Sequence, residues 1–168
     1  MTPMHTGSEE LIKDVVGLIE QERDAKAACN AALDHLEGRD RVAIEGFARS
    51  HQRHEHELID ALGGLGGAPR DSGESLLSKG KVVLGALAGE QSTLVAIKTS
   101  EDKLLDAYQA ISAEPMPPRT HDTIARCHDD LRCHRSWLDD RLHVVGVVGE
   151  KVMDPSRDSA PGQRVSHA

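Results

Sequence analysis

Residues 44–62 read IEGFARSHQRHEHELIDAL. Ile44, Phe47, His51, His54, Leu58, Ala61 and Leu62 recur in steps of three and four, with one closing step of one. That spacing gathers side chains on one face of a helix. Two histidines thus stand on an otherwise apolar stripe. His56 lies about 200° round the helix from His54 and is expected to face solvent, with Glu55 and Glu57 on the flanks. Gly63-Gly64 and then Gly66-Gly67-Ala68-Pro69 stop the helix.

Three more seams of this kind surround it. Upstream, Ser8-Glu9-Glu10 offers a capping hydroxyl and first-turn acids. Leu11, Val15, Leu18, Glu22, Ala25, Cys29, Ala32 and Leu36 then alternate steps of four and three before Gly38. Asp40 is placed to cap the second helix. A third helix, from about Thr93 to Ser112, carries Leu94, Ile97, Glu101, Leu104, Leu105, Tyr108 and Ile111. Pro115, Pro117 and Pro118 separate it from a fourth, expected to open near Pro118 because proline is tolerated in a first turn. The fourth seam is Ile124, Cys127 or His128, Leu131, His134, Leu138, Leu142 and Val145. Residues 1–7 read as a loose arm, 8–149 as one bundle domain, and 150–168 as a polar, disordered tail. Within the connection from helix two to helix three, LLSKGKVVLGALA (76–88) predicts a short extra helix rich in Val and Leu.

Composition narrows the function classes. Phe47, Tyr108 and Trp137 are the only aromatics in 168 residues, too few for a β-sandwich or for a platform that stacks nucleic-acid bases. The formal net charge of −8 argues against a nucleic-acid partner, which selects a basic stripe. Cys29, Cys127 and Cys133 are too few and odd in number for a disulfide framework. No signal peptide and no apolar run of about 20 residues is seen, so the expectation is a cytoplasmic protein without a membrane partner. Phosphate loops, dinucleotide fingerprints and nucleophile elbows are missing, so no organic cofactor is expected. HEHEL (54–58) lacks the second histidine of the zinc-protease helix.

The connections set the architecture. A very short turn joins helices one and two, and a proline-rich turn joins three and four, so each pair forms an antiparallel hairpin. About 30 residues between the hairpins suffice to run back along the bundle. Two hairpins joined by one long crossover give an all-α, ferritin-like four-helix bundle, with a plain up-down-up-down bundle carrying a small lid helix as the alternative. Counting 1.5 Å per residue from each turn places Glu22 near the height of His54, and Glu101 near that of His128. His51 and His134 fall roughly 7 Å further from their turns. A lone buried acid or imidazole is costly, so breaks at mid-height in all four stripes read as one shared polar layer.

Two-metal carboxylate bundles use one Glu from each of two helices and Glu-x-x-His from the other two. Glu22 and Glu101 match the single acids; His54 and His134 match the histidines. His51 and Leu131 stand where the paired acids would be, which argues against carboxylate bridging. The expectation is a mononuclear or altered centre for iron or zinc, drawn from Glu22, His51, His54, Glu101, His128 and His134, with His128 and His134 competing for one role.

From about Glu10 to Leu142 the chain resembles a bacterial four-helix-bundle family of unassigned function in the ferritin-like superfamily. The resemblance rests on the acid-rich middle of helix one at Arg23-Asp24, on Glu57-Leu58 with Leu62-Gly63-Gly64, on Glu101-Asp102 with Tyr108, and on the late His134. It implies fold and superfamily. His51 and His54 depart from the Arg and large apolar residue such relatives carry, and Lys98 and Thr99 interrupt a more acidic start to the third segment. Two functions follow: metal binding, with iron or peroxide handling under stress, or a metal-free interaction or structural module. The first predicts that Glu22, His54 and Glu101 converge. The second predicts that these acids pair with Arg or Lys, and that 76–88 marks a partner surface. A homo-oligomer is compatible with either.

Overall fold

A computed structural model describes the backbone of residues 5–70 and 89–152, and the side chains of 7–70 and 89–144. The four expected helices form: α1 (His5–Ala32), α2 (Gly38–Gly64), α3 (Glu90–Ile111) and α4 (Pro118–Val152). Helix α1 begins ahead of Ser8 and tightens into a 3₁₀ turn, Leu33–His35, before the chain reverses. Asp40 does not cap α2; Glu37 holds that position and Asp40 lies in the first turn. The other end of α2 stops as its glycines foretell. Gly66 takes φ +80°, its N–H bonds Gly63 at 3.1 Å, and the Gly67 N–H bonds Leu62 at 3.0 Å. These bonds close the last free carbonyls of the helix. The extra helix expected at 76–88 lies outside the described residues.

Burial gives the topology. One apolar core joins Leu11 and Val15 of α1, Leu58 and Leu62 of α2, Tyr108 and Ile111 of α3, and Ile124 of α4. A second joins Cys29, Ile44, Phe47, Leu94, Ile97 and Leu138. The start of α1 therefore lies with the ends of α2 and α3 and the start of α4. Helices α2 and α3 run the same way, so the crossover between them spans the bundle's length, as in ferritin-like folds. Helix α1 packs on α2 and α3, and α4 packs on the same two kinds of neighbour, α3 and α2. No helix among the described residues is long and apolar enough to cross a membrane.

The two cores do not meet. On α2, α3 and α4 the border between them falls at His51, Glu101 and His134, all buried. The polar seam residues are thus a layer between two apolar halves.

One buried polar group lies away from this layer. Asp40 is 1% exposed, and both its oxygens accept from Arg141 Nε, at 2.7 and 2.9 Å. This clasp ties the start of α2 to α4 across 101 residues of sequence. Arg141→Ala strands the carboxylate, and because the arginine is partly solvated the expected loss is about 2 kcal/mol in urea unfolding. Asp40→Asn should lose less, since a neutral amide is cheaper to bury.

Candidate metal centre

Glu22, His51, His54 and Glu101 are each at most 1% exposed, and His134 is 6% exposed. His51 is the centre. Its Nδ1 lies 2.7 Å from Glu22 Oε2 and its Nε2 lies 2.8 Å from Glu101 Oε1. Carboxylates accept and do not donate, so His51 carries a proton on both nitrogens and stands as an imidazolium between two acids. His54 reaches the other oxygen of Glu22, with Nδ1 to Oε1 at 3.2 Å, while its Nε2 lies 3.1 Å from Asp130 Oδ2. Arg53 donates to that same Asp130 oxygen at 2.6 Å. Tyr108 donates its hydroxyl to Glu22 Oε1 at 2.5 Å. At the far side, His134 Nδ1 lies 3.3 Å from Glu101 Oε2. The His134 ring stacks on Phe47, with centroids 3.9 Å apart and planes 16° from parallel.

The acid–base character follows from these contacts. Burial alone would lift Glu101, but hydrogen bonds from His134 and His51 outweigh it and hold the carboxyl at about 2. Burial opposes ionisation of Glu22 as well, and the bonds from His51 and His54 turn its shift downward. His51 moves well above 6.5: burial disfavours its charge, but Cys29, Glu101 and Glu22 prevail. Burial, joined by the charge on Glu22, pushes the Tyr108 hydroxyl up. Burial also raises the Cys29 thiol, and raises that of Cys127 to about 12.

Five of the six expected ligands thus meet. His128 does not: it is partly buried and takes no part in these bonds. The choice between His128 and His134 turns on the second hairpin. Helix α3 ends at Ile111 and α4 opens at Pro118, and across this connection Glu101 meets His134, six residues further along α4 than His128. The neighbouring residues agree, since Arg135 pairs with Asp102. His56, His121 and His143 are exposed, as their spacing indicates. Glu55 leaves the layer and pairs with Arg23 and Lys26, each at 2.7 Å.

Three participants were not read as ligands from sequence. Tyr108 and Cys29 fill seam positions that any apolar residue could occupy. Asp130 lies off the seam and is reached only because the imidazole of His54 extends beyond it.

The donor set fits a metal ion. Single ligand atoms of Glu22, His51 and His54 lie within 4.8 Å of one another, as do those of Cys29, His51 and Glu101. Carboxylate oxygens and imidazole nitrogens suit iron and zinc. The set does not fit a carboxylate-bridged pair of ions. His51 replaces one bridging acid, and Leu131, fully buried in the apolar core, replaces the other.

No protein-family profile and no curated protein matches this sequence. Solved structures do. The chain is similar to a dodecameric thioferritin, the bacterioferritin-related protein of Bacteroides fragilis, with TM-score 0.72 and 18% identity over 88% of this chain and 92% of that one. It is also similar to a two-domain protein of Anabaena variabilis that joins a DJ-1/ThiJ/PfpI-like domain to a ferritin-like domain, with TM-score 0.64 and 11% identity. That match covers 95% of this chain and 42% of the other. At these identities the likeness shows the fold, a ferritin-like helical bundle.

Proposed function

We propose that the chain is a metal-binding ferritin-like bundle, of the small bacterial kind it resembles, which holds iron or zinc among Glu22, His51, His54, Glu101 and His134. One observation carries this reading. Two fully buried glutamates are met by three imidazoles and a tyrosine, and among the described residues no Arg or Lys reaches either acid. A structural acid in a bundle core is normally balanced by Arg or Lys; these are surrounded by groups that coordinate.

Iron in such a place supplies oxygen or peroxide chemistry at its open positions, and zinc supplies Lewis acidity. The chain's own part is to hold the ligands still. Asp130 fixes the far nitrogen of His54, Phe47 fixes the plane of His134, and Tyr108 fixes the Glu22 oxygen that His54 also meets. Partners of this kind set ring orientation and ligand basicity. To hold a metal, His51 would give up a ring proton to solvent, so binding should strengthen as the pH rises. The role that follows is iron or peroxide handling under stress.

One observation favours a second reading, a metal-free structural module. Every buried side-chain nitrogen and oxygen among the described residues already has a hydrogen-bond partner. Metal content decides between them. Untagged protein, stripped with chelator and titrated anaerobically with ferrous iron or with zinc, is expected to bind about one equivalent. At a hundredfold excess over Kd the gain is about 2.7 kcal/mol, or roughly 5–10 °C in Tm. Glu22→Ala and Glu101→Ala should abolish it. No uptake and no thermal shift with iron, zinc or manganese would overturn the proposal in favour of the structural module. Light scattering on the same samples reads the assembly, which for the Bacteroides neighbour is dodecameric.

A further inference from the structure

The layer has two ends of different chemistry. Glu22 and Cys29 are seven residues apart on α1, two turns and about 10 Å along the axis. Glu22 faces His54, Tyr108 and, through His54, Asp130, and the ligand atoms that gather at this end, those of Glu22, His51 and His54, are oxygen and nitrogen. Cys29 lies toward the opposite core, 1% exposed among Phe47, Leu94, Ile97 and Leu138. Its sulphur lies within 4.8 Å of ligand atoms of His51 and Glu101. His51 divides the ends, with one nitrogen toward Glu22 and the other toward Glu101.

We propose that Cys29, His51 and Glu101 form a sulphur-containing site for a zinc-class divalent ion, with His134 as the nearest fourth donor. The inference rests on the metal-binding reading above and names the metal class at one end of the layer. Sulphur, nitrogen and oxygen donors around zinc at 2.0–2.3 Å stand about 3.3–3.8 Å apart in a tetrahedron. The ligand atoms of these three residues already lie within 4.8 Å of one another. His134 contacts the remaining oxygen of Glu101 and is held flat against Phe47, so it follows the carboxylate at little cost in order. A thiolate donor favours zinc, cadmium and cobalt over magnesium or manganese. Binding would release two protons to solvent, one from the Cys29 thiol and one from the His51 nitrogen that faces Glu101.

Cobalt(II) is the probe, because thiolate ligation gives it a sulphur-to-metal charge-transfer band in the near ultraviolet. The full chain, reduced and stripped of metal, is titrated with cobalt(II) and then with zinc. The expected result is a saturable band that zinc displaces. The band should persist in Cys127→Ser and Cys133→Ser and vanish in Cys29→Ser, with zinc affinity falling at least about tenfold. Cadmium bound to the unaltered chain should give the strongly deshielded NMR resonance of a thiolate-bound ion, a readout that needs no variant to fold. Cobalt bound without the band, or a band that survives Cys29→Ser, overturns this site and leaves the metal-binding reading standing. Failure to bind cobalt, zinc or iron at all overturns both.

Discussion

His51→Leu is expected to destabilise the metal-free protein by about 3–5 kcal/mol, the range seen when one member of a buried charged set is removed. His51 is fully buried and is the one group that bonds both Glu22 and Glu101. Leucine fills the space but donates nothing, so two carboxylates with no measurable solvent exposure lose their shared partner. Each then keeps one imidazole, and Glu22 keeps the Tyr108 hydroxyl as well. Those contacts limit the damage but do not remove the repulsion of two acids across a buried layer. Urea unfolding measures the effect. Adding Glu101→Gln to His51→Leu should recover part of the loss, because a neutral amide needs no counter-charge, and this marks the cost as electrostatic. A loss under about 1 kcal/mol, or no recovery in the double variant, would mean that water or movement of the helices relieves the acids and that the layer is not a fixed network.

How much of this was readable follows from the range of each interaction. The helices and their hairpins are local: seams of three and four, two proline- or glycine-marked turns and one long connection determine them, and the structure follows. Glu22 and Glu101 were readable for the same reason, as the one acid in each apolar stripe. His51 and His54 were readable as seam residues. Which histidine of α4 joins them was not, because it depends on the register of the second hairpin, and positions 128 and 134 stand about 9 Å apart along the helix. Tyr108 and Cys29 were hidden because their seam positions look like packing. The Asp40–Arg141 clasp was hidden for a different reason. It joins residues 101 apart, and the local pattern reads Asp40 only as a helix cap.

The same network gives the chelator-treated protein a bounded pH range of greatest stability. Glu101 titrates at about 2 in the folded state, against 4.5 when exposed. Its contribution is therefore complete above about 4.5 and is lost as the pH falls through the folded value. The folded pKa of His51 lies above its ordinary 6.5, so its contribution is complete below about 6.5 and is lost as the pH rises. Between these limits the acids and the imidazole are charged together. The groups facing His51 are Glu22 and Cys29 from α1, His54 from its own helix, Glu101 from α3 and His134 from α4. The Glu101 and His51 shifts are two views of one coupled interaction, so they are not added. A fall from 4.5 to about 2 corresponds to about 3 kcal/mol on the acid side. Urea midpoints from pH 2 to 9 should trace a plateau near pH 4.5–6.5 with losses on either side. Glu101→Gln isolates the cause. It removes one titrating acid, so the acid-side loss should shrink by most of that amount. If the variant keeps the same acid-side loss as the parent, the protons that unfold the protein are going elsewhere.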